Sequence, residues 1–395
     1  MKKTLLFATA FGVFVFADGL VLRSDAKAES FHVGLSAFYN WLVIGRDQDP
    51  GAFGRGEVDP RGHDFNQRGR LIIDGYSILD DGVTVGFQSQ HEIQLDFETE
   101  RAYVYLSNDF GMLQFGNNQS AAYQLHTFVG GAGWGIDDTA HTNDIVAPAA
   151  TSWNTILTPP YGPGVFTPRI NYFTPRINGF QGGFSYAPDS LRGRDAQRFV
   201  TDRAQEITGG VQKNLVSAAL NFARSFDDVS LSASVGGEFA FDVGEGQVPG
   251  AVDEEFSVVS TGLAVGWQAW EASVAYAYRN MSAFGQFNDG NRQDLGGSLT
   301  YSRGSWRVGP SFGYVRDTSA QNQAFDNRFS PVRFDGTPAD TLGRETLRIV
   351  EFGANYALTP GVNFRGSALY VNWSSDERTR DGDGIGLGAG MVLFF

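Results

Sequence analysis

Along the last eleven residues every second side chain is apolar. Ile385, Leu387, Ala389, Met391, Leu393 and Phe395 share one face, and Gly386, Gly388, Gly390, Val392 and Phe394 share the other. A period of two belongs to a β-strand. One continuous apolar face backed by a nearly bare one suits a wall with lipid outside and a lumen inside. The start of the chain repeats the pattern: Phe31, Val33, Leu35, Ala37, Tyr39 and Trp41 oppose His32, Gly34, Ser36 and Asn40. Similar alternation recurs near 65–76, 82–93, 98–107, 111–117, 168–175, 179–187, 213–226, 229–241, 256–267, 269–280, 292–302, 305–316, 345–357 and 361–374. With the two terminal strands this predicts an all-β, 16-stranded antiparallel transmembrane β-barrel over residues 29–395. An even count returns both ends of the chain to one side, where first and last strands can pair antiparallel.

The connections alternate too. Asp80-Asp81-Gly82, Asn108-Asp109-Phe110-Gly111, Asp227-Asp228 and Leu358-Thr359-Pro360-Gly361 read as tight turns, whereas 44–64, 118–167, 242–255 and 317–344 read as long loops rich in Gly, Pro, Asn and Asp. Short periplasmic turns and long outer loops are the mark of a barrel inserted from one side. Pro310 falls inside a predicted strand of a barrel without edges, which calls for a β-bulge there. A soluble β-sandwich is the competing architecture, but its strands are usually about 5 or 6 residues long and most segments here exceed that.

Two features of the N-terminus change the compartment. Lys2 and Lys3 precede an apolar run over residues 4–17, and Ala26-Lys27-Ala28 precedes Glu29, so residues 1–28 read as a secretory signal peptide. The apolar run is shorter than the roughly 20 residues of a spanning helix, and no later run approaches that length. Barrel strands escape this test because their two faces average out in hydropathy. Composition agrees: Gly 50 and Phe 33 of 395 residues fit many turns and a lipid-facing aromatic surface, and Cys 0 leaves no disulfide framework and no thiolate metal site. The net charge is −14, and −16 without residues 1–28, which argues against nucleic acid as a partner.

The remaining chemistry is sparse. His32, His63, His91, His126 and His141 have no short metal-ligand spacing, so they read as solvated. Asp381-Gly382-Asp383-Gly384 resembles a calcium turn without its other ligands and reads as loop. Trp41, Trp267, Trp270, Tyr172 and Tyr356 fall near strand ends, as interfacial aromatic residues do. No Ser and His arrangement suggests a nucleophile, and neither an enzyme activity nor a cofactor is expected. Parity does pick out cations. Arg68 and Arg70 oppose Leu71 and Ile73, Arg101 opposes Ala102 and Val104, and Arg169 opposes Ile170 and Tyr172, so all four are expected to point into the lumen.

Two stretches carry a family resemblance: RAYVYLSNDFGMLQFG from Arg101 to Gly116, and RINYFTPRINGFQGGFSYAP from Arg169 to Pro188. They resemble the strand pairs before and after the constriction loop of general bacterial outer-membrane porins, especially the alphaproteobacterial type. The terminal Phe395 is similar to the porin end recognised by the barrel assembly machinery. The resemblance implies a homotrimer in outer-membrane lipid and lipopolysaccharide, with residues 118–167 folded inward as the constriction loop. On that loop Asp137, Asp138 and Asp144 would line the narrowest section, faced by Arg70, Arg101 and Arg169, with Arg68 added on parity alone. Such a field passes small hydrophilic solutes and ions by diffusion. The alternatives are a substrate-selective channel, a barrel adhesin and an outer-membrane enzyme.

Overall fold

The computed structural model describes residues 31–49, 51–53, 56–58, 61–93, 99–136, 142–146, 158–160, 166–190, 212–243, 256–280, 291–318, 344–376 and 381–395. Its elements are β1 (His32–Gln48), β2 (Gly51–Phe53), β3 (Gly56–Val58), β4 (His63–Ile78), β5 (Thr84–Glu92), β6 (Thr99–Asn108), β7 (Gly111–Asn118), α1 (Ala121–Gln124), α2 (Thr142–Ile145), β8 (Thr167–Phe173), β9 (Phe180–Asp189), β10 (Gln212–Phe226), β11 (Val229–Val243), β12 (Phe256–Trp267), β13 (Trp270–Asn280), β14 (Asn291–Arg303), β15 (Trp306–Asp317), β16 (Glu345–Thr359), β17 (Val362–Ser375) and β18 (Gly382–Phe394). Sixteen of the strands, β1 and β4 to β18, close into one antiparallel barrel, while β2 and β3 form a small hairpin of their own. Closure is made by β1 against β18, with Phe38 opposite Phe394 and Ile44 opposite Gly388. The other strands follow in chain order round the barrel, β4 beside β1, so the sheet has no free edge to leave unpaired in the membrane. Among the described residues no helix is long and apolar enough to cross a membrane, which does not bear on strands.

The alternation places side chains as expected. Leu35 is 68% exposed, Phe352 57% and Leu387 59%, on an outer surface that also carries Val104, Ile170, Leu220, Val235, Val259 and Phe312. The short connections all fall at one end of the barrel. That end also carries an aromatic belt: Trp267 lies opposite Trp270, which packs on Tyr301 at 4.8 Å, and Trp306 packs on Tyr356 at 4.7 Å. In the turn between β8 and β9, Asn178 (φ 52°) and Gly179 (φ 94°) supply the two left-handed residues that a tight hairpin needs.

Four expectations are corrected. Pro310 causes no bulge: Ser298 pairs with Ser311 and Tyr301 with Val308, one unbroken register across it, and Pro310 itself faces outward opposite Phe352. The register shifts lie elsewhere, between Gln90 and His91 and between Ala357 and Thr359. The first long loop is shorter than 44–64, because β1 continues to Gln48 and pairs there with Gly384. Likewise Asp383 is part of β18 and not of a loop, its backbone N–H donating to the Asp49 carboxylate at 2.9 Å. The fourth correction, His126, belongs to the site.

Candidate functional site

The described residues between β7 and β8 lie against the inner wall. An irregular chain buried in a barrel must still find a partner for each N–H, and here the wall supplies hydroxyls. Ala121 N donates to Ser185 Oγ (3.2 Å), Thr127 N to Ser234 Oγ (2.7 Å), Gly130 N to Ser273 Oγ (2.9 Å) and Trp134 N to Ser367 Oγ (2.6 Å). These serines stand on β9, β11, β13 and β17, so the segment follows the inside of the wall from strand to strand. Gly135 N donates to Glu351 Oε1 at 2.7 Å, a carboxylate that also accepts from Ser311 (2.7 Å) and Ser367 (2.6 Å). Two wall glycines make the close approach possible. A Cβ on Gly262 would run into the Thr127 carbonyl, and one on Gly353 into the Gly133 backbone.

Farther along, α2 sets Ile145 and Val146 over Gly386, and Ile145 over Gly388. The bare face of the last strand is therefore a bed for the loop. Trp134, Ile136, Ile145 and Val146 join Leu42, Ile44, Leu347, Ile349, Leu369 and Val371 in a buried apolar cluster. Each such side chain removed from water stabilises the docked loop by about 1.5–3 kcal/mol.

With the loop on the β9–β18 side, the wall of β4, β5 and β6 carries the sequence-predicted cations. Arg68 Nε lies 3.1 Å from Glu92 and its NH2 3.6 Å from Glu100, while Arg70 Nε lies 2.8 Å from Glu100. Gln90 Nε2 donates to Glu100 Oε2 at 2.5 Å. Arg101 is inward too, its guanidinium 5.5 Å from the Phe166 ring centre. Glu92 and Glu100 are the acidic partners that the sequence reading did not name: Glu92 shares the inward face of Gln88 and Gln90, whereas Glu100 breaks parity. The register shift pairs Gln90 with Arg101 but His91 with Thr99, so Glu100 is the extra residue of a bulge and turns inward beside its neighbour. The readable signal was a carboxylate at a position alternation would assign to lipid.

Arg169 is not brought to this group. It is buried in an ion pair with Glu238 on β11 at 3.1 Å, each side chain 2% exposed, which takes it out of the open lumen. Of the loop acids, Asp144 lies in α2 next to Ile145, whereas Asp137 and Asp138 lie outside the described residues, as do residues 1–28. A second ionic group, unpredicted, sits at the loop end of β13 and β14. Asp294 is held between Arg279 and Arg292, the latter at 2.8 Å, and Arg279 also donates to the Pro159 carbonyl at 2.9 Å. All three side chains are buried, so this group fastens a later part of the same loop.

His126, expected to be solvated, is instead buried among Ser260, 3.5 Å from Nδ1, and the edge-on Phe128 ring. Burial, helped by the Arg279 charge, pushes its pKa down to about 3, so the ring is neutral. Among the described residues no group of three or more carboxylate or imidazole side chains is arranged to hold a metal ion.

Comparison with known proteins agrees with this architecture. The family model described as Gram-negative porin matches residues 24–376. The fold is similar to that of the anion-selective porin from Comamonas acidovorans, with TM-score 0.55 and 15% identity over 92% of this chain and 100% of that one. It is also similar to in-vitro folded OmpT, an outer membrane protein of Vibrio cholerae (0.54, 13%, 95% and 99%), and to the trimer form of that protein (0.54, 11%, 92% and 99%). Among curated proteins none matches the chain by sequence. A closed barrel with a lipid-compatible exterior, a polar interior and a family match over most of its length has one reading: the chain belongs to the Gram-negative porin family and forms a channel in the outer membrane.

Proposed function

We propose that this porin is a passive, non-enzymatic channel for small hydrophilic solutes and ions, and that its narrowest passage runs between the docked loop and the Arg68, Arg70 and Arg101 wall. The observation that carries this reading is the fastening of residues 121–135 to strands from β9 to β17, which leaves the β4–β6 wall opposite them. In that passage the Arg68 and Arg70 guanidiniums meet the carboxylates of Glu92 and Glu100, Arg101 adds a third positive charge against Phe166, and Asp137, Asp138 and Asp144 would add loop charge. The fixed charges orient polar solutes and disfavour apolar ones, which cannot replace the ordered water between them. Because the wall charges largely offset one another, the net charge of −16 that remains without residues 1–28 should set a modest cation preference at the mouths.

We further propose assembly as a homotrimer among outer-membrane lipid and lipopolysaccharide, export by residues 1–28, and recognition of Phe395 by the barrel assembly machinery. Planar-bilayer recording tests the central claim. Stepwise conductance with a weakly cation-selective reversal potential at low salt is expected. Absence of conductance from correctly folded protein refutes a diffusion channel.

A further inference from the structure

On the turn side of the arginine wall, two adjacent rungs of the barrel form a second inward patch. Asp74 on β4 lies opposite Gly34 on β1 and Gln88 on β5, and Gln88 lies opposite Tyr103 on β6. The next rung toward the turns reads His32, Tyr76, Gly86 and Tyr105 across the same strands. The side chains of His32, Asp74, Tyr76, Gln88, Tyr103 and Tyr105 are all part-exposed, as lumen residues are. The His32 and Tyr76 rings stack at 4.8 Å and 19°. The Tyr105 ring folds across bare Gly86, toward Tyr76, and Tyr103 leans the same way to donate its hydroxyl to Gln88 at 3.1 Å.

Asp74 folds over Gly34 and, among the described residues, makes no ion pair. The charged groups nearest along the wall are spoken for: Arg70 is held by Glu100, and Arg68 by Glu92 and Glu100. Arg101, two residues from Tyr103, lies against Phe166. What remains is one uncompensated carboxylate framed by three phenol rings and an imidazole. We propose that Asp74, with Tyr76, Tyr103 and Tyr105, is a lumen subsite for an organic cation of the quaternary-ammonium or primary-amine class. Aromatic faces and a carboxylate are the chemistry that holds such groups. The arginines above the patch repel a cation entering from the loop end, so the subsite is approached more readily from the turn end.

This inference rests on the barrel being an open channel, and the test separates the two. In bilayers held in potassium chloride, choline added on the turn side should interrupt the potassium current in a concentration-dependent way, and at lower concentration than from the loop side. Asp74→Asn should weaken the block by about tenfold and Tyr105→Ala by a smaller factor, with open conductance little changed. The neutral isostere 3,3-dimethylbutan-1-ol should not block. Calorimetric titration of the detergent-solubilised barrel with choline reads the same site without requiring conductance, so a barrel that binds choline but does not conduct refutes the channel and keeps the subsite. Block or binding unchanged in Asp74→Asn, equal block by the neutral isostere or by glucose, or no choline effect on a conducting wild-type channel would each overturn the proposal.

Discussion

Replacing Glu100 by Gln removes one charge from the arginine wall and almost no volume. Glu100 is shared by Arg68 and Arg70 at 3.6 and 2.8 Å, so its loss leaves three guanidiniums facing Glu92 alone. For an ion passing about 6 Å away in water the lost interaction is ~0.7 kcal/mol. Screening at 0.1 M salt, with a Debye length of about 10 Å, reduces it to ~0.4 kcal/mol. The effect has opposite sign for cations and anions, so the two add to ~0.8 kcal/mol, a shift of about fourfold in the cation-to-anion permeability ratio toward anions. Reversal potentials under a salt gradient measure that ratio, and the shift should shrink at 1 M salt, where the Debye length is about 3 Å. Glu92→Gln should act in the same direction. A Glu100→Gln channel that folds normally and keeps the wild-type reversal potential at low salt would show that the bulge does not face the permeation path.

Other perturbations test the remaining parts of the site. Arg101→Ala removes bulk and positive charge together, so single-channel conductance and cation preference should rise in parallel, as read in the same recordings. Gly353→Val sets a side chain where the Gly133 backbone lies. It should loosen the loop, adding open-channel noise and lowering stability by about 1–3 kcal/mol in heat-modifiability assays. Asp294→Asn strands two buried guanidiniums and should cost about 3–5 kcal/mol of stability, visible as a lower unfolding midpoint in denaturant. His126 gives a pH dependence: its pKa is about 3 when docked and ordinary when released, so the released loop binds more protons between those values. Docking is then fully favoured above about pH 6.5 and weakens as pH falls toward 3. Current fluctuations should increase with acidification, and His126→Gln should remove that dependence.

Much of this fold was legible because a membrane barrel writes its geometry in period two. Leu35, Val104 and Leu387 fall on the lipid side, and Arg68, Arg70 and Arg101 on the inner side, by parity alone. What parity could not give is what breaks it or spans it. The bulge at Gln90 and His91 turns Glu100 inward beside Arg101, and no rule of alternation assigns both to one face. Arg169 was assigned the correct face, but its partner Glu238 lies 69 positions away on a strand that is not its neighbour. His126 has no local mark of burial, since Ser260 and Arg279 reach it only once the loop is docked. Pro310 misled for the opposite reason: a single proline can leave a ladder incomplete without shifting it.

The way the loop is fastened separates its course from its content. Ser185, Ser234, Ser273 and Ser367 accept from main-chain amides, which every residue but proline possesses. Side chains on the free side of that segment can therefore be exchanged while the track beneath them stays the same. Bore and charge become adjustable by single substitutions in one short stretch, with no rebuilding of the sixteen strands that insert in the membrane.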